Sequence, residues 1–257
     1  MDKPIPAFSH APGLRPVARV QTSRPLRWLK LGWSDLTANP GPSIAHGLLF
    51  VSLGWLILLL CSTQIDLLAA AVSGFLLVGP VFAAAFYELS RLRAEGRPAT
   101  FDAALEGALR NARSLARLGL ILAVLAIAWV ATSRLLFVQA FGGTLPSVRE
   151  TFYQTIVDWQ HYGFVATYLS TGAVFAAVAF VLSCVSAPML FDRGSGTSEA
   201  VLTSLRAVGA NPSAMLLWAA IIALLTAVGF ATFLFGLVIV LPLLGHATWH
   251  AYRDLVR

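Results

Sequence analysis

Charged side chains are scarce in this chain. Only 12% of its 257 residues are Asp, Glu, Lys or Arg, while 58% are hydrophobic. Soluble domains carry about 25% charged residues. The mean hydropathy of +0.76 reflects the same imbalance. So little charge does not cover the surface of a soluble domain of this length, and the composition therefore predicts an integral membrane protein.

Motifs that carry enzymatic chemistry are lacking as well. The sequence contains no Walker loop, no GxGxxG after a strand, no HExxH, no CxxC and no nucleophile elbow. Its two cysteines, Cys61 and Cys184, fall at different depths of their predicted spans, too far apart for a disulfide. We therefore expect a protein that is not an enzyme and has two unpaired thiols.

Charge is also missing from the middle of each long apolar run, which counts against an ion pump or a proton-coupled carrier. Six runs are long enough to cross a hydrocarbon core of about 30 Å as helices. The predicted spans are about 43–61, 67–89, 115–140, 163–190, 214–229 and 231–252. Residues 1–24 carry too little periodic apolar surface to pack, so we expect a mobile basic tail before one membrane domain, residues 25–257.

An internal threefold repeat is predicted by three similar segments. Residues 28–43 (WLKLGWSDLTANPGPS) and 200–215 (AVLTSLRAVGANPSAM) align at an Asn-Pro pair, and residues 101–114 (FDAALEGALRNARS) align more weakly through Asn111. Each segment has apolar residues three and four apart, as amphipathic helices do, and leads into a predicted hairpin. The second span of each hairpin carries a proline: Pro80, Pro188 and Pro242.

The expected fold is therefore an all-α membrane protein of six transmembrane helices. They form three hairpins, each preceded by a short amphipathic cytoplasmic helix, in a parallel internal repeat. A surface helix before any membrane span gives a similar pattern, so the alternative of no repeat stays open.

Lysine and arginine are distributed unevenly between the two sides of the predicted membrane. Only Arg134 and Arg149 fall on one side, and the other Lys and Arg residues fall on the opposite side. The positive-inside rule places both termini in the cytoplasm, and we expect the protein in the bacterial inner membrane. The net charge of +6 fits a basic rim facing anionic headgroups of the lipid bilayer, without a nucleic-acid partner.

Histidines gather near the predicted cytoplasmic ends of two spans. His46 lies about one turn inside span one, and His250 and His246 lie about one and two turns inside span six. Glu88 has a similar depth on span two. Imidazoles with a carboxylate suit zinc, iron or copper, and haem needs imidazoles on different helices. The favoured interpretation is that no cofactor binds and that these side chains form a polar rim reaching water and headgroups.

Aromatic residues flank the same predicted interface. Trp28, Trp33, Trp249 and Tyr252 are typical of interface anchors. On the opposite side, residues 147–162 (SVRETFYQTIVDWQHY) open with Ser147 and Glu150 at capping-box spacing, which predicts a short surface helix.

Three stretches together resemble a known family. They are GHATWHAYRDLV (245–256), GPVFAAAFYELSRLRAEG (79–96) and WLKLGWSDL (28–36). The chain from about Pro25 onward is similar to an uncharacterised bacterial family of multi-pass integral membrane proteins, some of whose members are labelled as cytochrome c oxidase components. The family has no established activity, so the resemblance implies a membrane fold and no catalytic residue.

Three functions remain open at this point. The favoured one is a non-catalytic accessory or assembly component that docks on other subunits of a larger membrane complex, such as a respiratory oxidase. The second is a membrane haem or metal-binding protein using His46, His246 and His250, with Glu88 as an added ligand. The third is a small transporter or lipid-handling protein with a cavity between the repeats.

The predicted topology is testable with reporter fusions. A reporter after Arg257 should be active in the cytoplasm, and one inserted near Pro146 should be active in the periplasm, because the positive-inside rule fixes the orientation of the spans. The reverse pattern would overturn both the orientation and the repeat.

Overall fold

The computed structural model describes residues 15–61, 63, 65–110, 112–142 and 162–256. The first fourteen residues of the expected tail, Arg149 and all but the last residue of the predicted 147–162 helix lie outside these ranges. Within them the chain forms α1 (Arg24–Ala38), α2 (Pro40–Cys61), α3 (Ile65–Phe82), α4 (Ala84–Ala94), α5 (Phe101–Arg110), α6 (Ala112–Phe141), α7 (Tyr162–Ser183), α8 (Ser186–Arg193), α9 (Thr197–Ala210), α10 (Pro212–Ala231) and α11 (Leu237–Leu255).

Four helical stretches of the described residues are long and apolar enough to cross a membrane. They are Pro40–Cys61, Ala112–Phe141, Tyr162–Arg193, which comprises α7 and α8, and Pro212–Ala231. The other two predicted spans correspond to α3 with α4 and to α11, which are not among these four. The expected all-helical membrane fold is thus present, with four rather than six helices meeting the criteria of length and composition.

Several predicted spans differ from the helices at their ends. The span expected over 67–89 is interrupted at Ala83, about one turn after Pro80, and that over 163–190 is interrupted at Cys184 and Val185. Pro188 explains the second interruption, because a proline ring clashes with the carbonyl four residues earlier. The last two helices are separated by a turn over 232–236, rather than by residue 230 alone.

The chain divides into two compact units, each described by itself. The first unit contains Met1–Val51, Pro80–Leu118 and Phe180–Arg257, and the second contains Ser52–Gly79 and Gly119–Ala179. In the second unit, Trp129 of α6 is buried against Tyr168 and Phe175 of α7. Arg134 donates to the buried carboxylate of Asp66 at the start of α3, over 3.3 Å.

In the first unit, the amphipathic helices pack in a cyclic order. The helix α5 packs against α4, α9 packs against α8, and α1 packs against α11. Each therefore contacts the helix that ends the preceding hairpin, and the first one contacts the last helix of the chain. The three contacts therefore form a closed cycle of helix pairs within the first unit.

Small residues allow this close packing. A Cβ atom on Gly32 of α1 would lie 2.7 Å from the backbone nitrogen of Ala247 in α11. Ala104 of α5 and Ser204 of α9 hold the same place relative to the aligned asparagines, and both are fully buried. Ser204 donates to the carbonyl of Val181 over 2.7 Å. At this aligned position α1 packs closely because Gly32 has no side chain, whereas α9 packs through the hydrogen bond of the Ser204 hydroxyl.

The residue that follows each of these small residues faces outward. Trp33 is 51% exposed, Leu105 is 46% exposed and Leu205 is 43% exposed. Large apolar side chains that turn away from the protein are typical of helices at a membrane surface.

The joints that lead from α1 to α2 and from α9 to α10 have nearly the same backbone geometry. Asn39 has φ −133° and ψ 65°, and Asn211 has φ −134° and ψ 49°. Each is followed by a proline at the first helical position, where its missing N–H costs no hydrogen bond. Asn111, the third aligned asparagine, lies outside the described residues.

Part of the expected N-terminal tail is held in place. The backbone N–H of Ala18 donates to Leu255 over 2.9 Å, and the Asn211 side chain bonds the backbone of both Ala18 and Val20. Arg24 forms an ion pair with Asp254 over 2.6 Å. Residues 17–24 therefore pack against the last turn of α11 and the start of α10.

Candidate functional site

A buried carboxylate on α1 is the centre of a polar network in the first unit. Asp35 is only 7% exposed. Ser90 of α4 donates to its Oδ2 over 2.6 Å, and His250 of α11 donates to the same oxygen over 2.8 Å. Arg93 of α4 donates to Oδ1. One carboxylate thus joins three helices.

His246 extends this network to α2. Its Nδ1 lies 2.8 Å from the Ser90 hydroxyl, and its Nε2 lies 3.0 Å from the Ser43 hydroxyl. Because Ser90 gives its hydrogen to Asp35, the Nδ1–H of His246 donates to Ser90. The Nε2 lone pair then accepts from Ser43. The result is a directed chain of hydrogen bonds from Ser43 through His246 and Ser90 to Asp35.

The environment of Asp35 favours its ionised form. Burial acts to raise its pKa, but the hydrogen bonds from His250 and Ser90, together with the electrostatic attraction of His250 and His246, hold the pKa below its ordinary value of 3.8. A lowered folded-state pKa stabilises the protein at pH values above the ordinary pKa. This stabilisation is lost as the pH falls through the lowered value.

Glu88 belongs to a different cluster. Arg91 donates to both of its carboxylate oxygens over 2.7 Å, and Arg110 of α5 donates to Oε1. A Cβ on Gly107 would lie 2.4 Å from the Glu88 side chain, so the glycine is what lets α5 pack on this carboxylate. Glu88 therefore holds α4 to α5.

His46 is the one candidate histidine with a buried ring nitrogen that the described residues leave unpaired. It is 8% exposed and stacks on Phe101 with ring centroids 4.1 Å apart. Its Nδ1–H donates to the carbonyl of Pro42 over 2.9 Å. The Nε2 atom is buried and has no hydrogen-bond partner within the described ranges.

The four candidate metal ligands are thus only partly brought together. His246 and His250 share the Asp35 network, Glu88 is held by arginines, and His46 stacks on Phe101. Among the described residues, no group of three or more His, Cys, Asp or Glu side chains is placed to hold a metal ion. The metal-ligand hypothesis stays a prediction.

The four aromatic residues expected at the membrane interface behave differently from one another. Trp33 is 51% exposed, as an anchor requires, whereas Trp28, Trp249 and Tyr252 are buried. Trp28 donates to Asp254 over 2.9 Å, and Tyr252 donates to Asp192 over 2.8 Å. These polar partners inside the protein, rather than headgroups, satisfy their donors.

Sequence reasoning missed Asp35, Ser43, Ser90 and Arg93, which complete the network. A signal for Asp35 was present, because it lies on the same face of α1 as Trp28 and Gly32, both of which are buried. An acid on the buried face of an amphipathic helix indicates a polar partner on the neighbouring helix. The two serines gave no comparable signal.

The central part of the chain matches a family model. Residues 67–192 match the family described as predicted integral membrane protein (DUF2189). This region is therefore similar to a family of predicted integral membrane proteins of unknown function. The resemblance to a multi-pass membrane family of unknown function is thereby confirmed.

The DUF2189 region includes Ser90, Arg93, Glu88 and Arg110 but ends before His246 and His250. No curated protein and no solved structure matches the chain significantly. The family description names no activity, so the site must be interpreted from its own geometry.

Ser90→Ala tests the hydrogen-bond chain. The substitution leaves the Nδ1–H of His246 without its acceptor and removes one donor to Asp35, so the free energy of unfolding should fall by about 2 kcal/mol. Equilibrium unfolding in mixed detergent measures the change. The matched control is Ser52→Ala at an exposed helical position, where the effect should be within about 0.5 kcal/mol. Equal values for the two variants would contradict the assigned network.

Proposed function

We propose that this protein has six membrane spans arranged as three parallel repeats, each an amphipathic helix followed by a hairpin. The repeats are α1 to α4, α5 to α8, and α9 to α11. The cyclic packing of α1 on α11, α5 on α4 and α9 on α8 supports this arrangement. So do the outward-facing Trp33, Leu105 and Leu205 at one aligned position.

The same proposal places the protein in the bacterial inner membrane with both termini in the cytoplasm. The support is the distribution of Lys and Arg along the chain. We propose that Pro80 and Pro188 act as kinks within their spans rather than as the ends of those spans.

We infer that the protein acts as an accessory or assembly component of a larger membrane complex, with a respiratory oxidase as the named candidate. One observation carries this inference: an exposed face of α7 is built from small residues. Ala166, Ser170, Ala173 and Ala177 are spaced three and four apart and all are exposed. Small residues at this spacing let a second helix approach closely in the bilayer.

The ionisable residues of the first unit fit a role in packing. Asp35, Glu88, His246 and His250 bond to neighbouring helices. These contacts hold the helices of the first unit to one another. A rigid membrane scaffold is what an assembly component needs.

The accessory function is tested by native electrophoresis of membranes with mass spectrometry of the bands. The wild-type protein should migrate with identified oxidase subunits, and Ser170→Leu with Ala173→Leu should release it, because large side chains keep a partner helix away. Leu59→Phe is the control, since Leu59 is 73% exposed on α2 and outside this face. Migration as a single chain, or equal migration of all variants, would contradict the proposal.

A second candidate function, haem or metal binding, is favoured by the unpaired Nε2 of His46. Metal-binding histidines commonly donate their other ring N–H to a carbonyl, as His46 does to Pro42. His246 fits this function less well, since both of its ring nitrogens are already hydrogen-bonded to serines.

Spectroscopy and metal analysis of purified protein test this second candidate. A reduced-minus-oxidised absorption signal, or near-stoichiometric metal, that disappears in His46→Ala would support it. A blank spectrum without metal in the wild-type protein would contradict it, and so would a signal that His46→Ala leaves unchanged.

A further inference from the structure

Two arginines near the start of α6 differ from the paired arginines of α4 and α5 in the first unit. Arg113 and Arg117 are both exposed and lie one turn apart. Neither forms an ion pair or a hydrogen bond with the described residues. By contrast, Arg91 and Arg110 are paired with Glu88, and Arg93 is paired with Asp35.

The arginine pair continues into an apolar stripe of the same helix. Leu120, Val124 and Ile127 follow at spacings of three and four and share the face of Arg113 and Arg117. They are 67%, 60% and 69% exposed. In a membrane helix, exposed residues of this type contact acyl chains.

The length of α6 sets the depth of the arginines. The helix has 30 residues, which corresponds to about 45 Å at the usual rise per residue. The hydrocarbon core is about 30 Å thick. The helix therefore extends beyond the core, and the residues between Arg117 and Arg134 form its uncharged part. This part is about 24 Å long, so the guanidinium groups of Arg113 and Arg117 reach the headgroups through their long side chains.

The fold itself does not require cations at these positions. Relative to the aligned asparagines, Arg113 corresponds to Gly41 and Ser213, and Arg117 corresponds to Ala45 and Leu217. The helices α2 and α10 thus begin without charge at the same places. Arg113 also lies in the first turn of its helix, where the helix dipole disfavours cations. An external anion would compensate this cost.

We propose that Arg113 and Arg117 bind the phosphate of an anionic phospholipid whose acyl chains lie along Leu120, Val124 and Ile127. Arginine suits this ligand, because its planar guanidinium donates two parallel hydrogen bonds to phosphate oxygens. The apolar stripe below the pair makes a lipid, rather than free phosphate, the fitting source of that phosphate. The proposal needs α6 to be a membrane helix but does not depend on the accessory function.

The test is a titration of the delipidated, detergent-solubilised full chain with phosphatidylglycerol. The thermal unfolding temperature reports binding, and native mass spectrometry counts bound lipids. Phosphatidylcholine and inorganic phosphate are titrated in parallel. The variants are Arg113→Gln with Arg117→Gln, and the control is Arg27→Gln with Lys30→Gln, which removes the same charge from exposed positions of α1.

The wild-type protein should be stabilised by phosphatidylglycerol and much less by the other two ligands. The apparent affinity should fall roughly 25-fold in the Arg113 and Arg117 variant, since each cation near an anionic surface contributes about fivefold. The control variant should keep most of the wild-type affinity. Arg113→Lys with Arg117→Lys should restore part of it.

Three outcomes would overturn the proposal. The first is an equal response to phosphatidylglycerol and phosphatidylcholine. The second is an equal loss of affinity in both double glutamine variants, which would indicate a general effect of net charge. The third is stabilisation by inorganic phosphate to the same extent as by the lipid, which would assign the pair to a free anion instead.

Discussion

The carboxylate of Asp35 is the interaction on which the arrangement of the first unit depends. It receives hydrogen bonds from Ser90 and Arg93 of α4 and from His250 of α11. A buried carboxylate is costly unless its oxygens are satisfied, and the loss of one partner commonly costs about 3 to 5 kcal/mol. The helices that supply those partners are therefore fixed relative to α1, and with them the contact between the first and last helices of the chain.

The three helix contacts of the cyclic order contain different polar side chains. The contact of α5 with α4 contains Glu88 and its arginines, packed over Gly107. The contact of α1 with α11 contains Asp35 and His250. Beside the contact of α9 with α8, the described residues form no ion pair between these two helices, and the Ser204 hydroxyl instead donates to the carbonyl of Val181 at the end of α7. The three places therefore use different polar groups, which the proposed repeat allows.

Much of the helical content was predictable from the sequence, because apolar residues recur at the spacing of one helix face. Trp33 is exposed, while its role as an interface anchor stays a prediction, and the helix is interrupted before Pro188. Helix ends were less predictable. The turn over 232–236 places Phe233 and Leu234 at positive φ, and neither residue type signals such a conformation.

The candidate site was only half predictable. The spacing of His246 and His250 indicated a shared face, and both do join one network. Their partner Asp35 is more than 200 positions away in sequence, so its role depends on how α1 packs. The same reason explains why the environment of Trp28 was not predicted. Its sequence position is typical of an interface anchor, but its indole N–H donates to Asp254, which is distant in sequence.

A double-mutant cycle between Asp35→Asn and His250→Ala tests the central claim most directly, since it isolates the bond that joins α1 to α11. The free energies of unfolding of the two single variants and the double variant are measured in mixed detergent. We expect a coupling energy of about 1 kcal/mol or more, because residues in one hydrogen-bond network are not additive. Additive effects, within about 0.3 kcal/mol, would show that Asp35 and His250 act independently and would contradict the account.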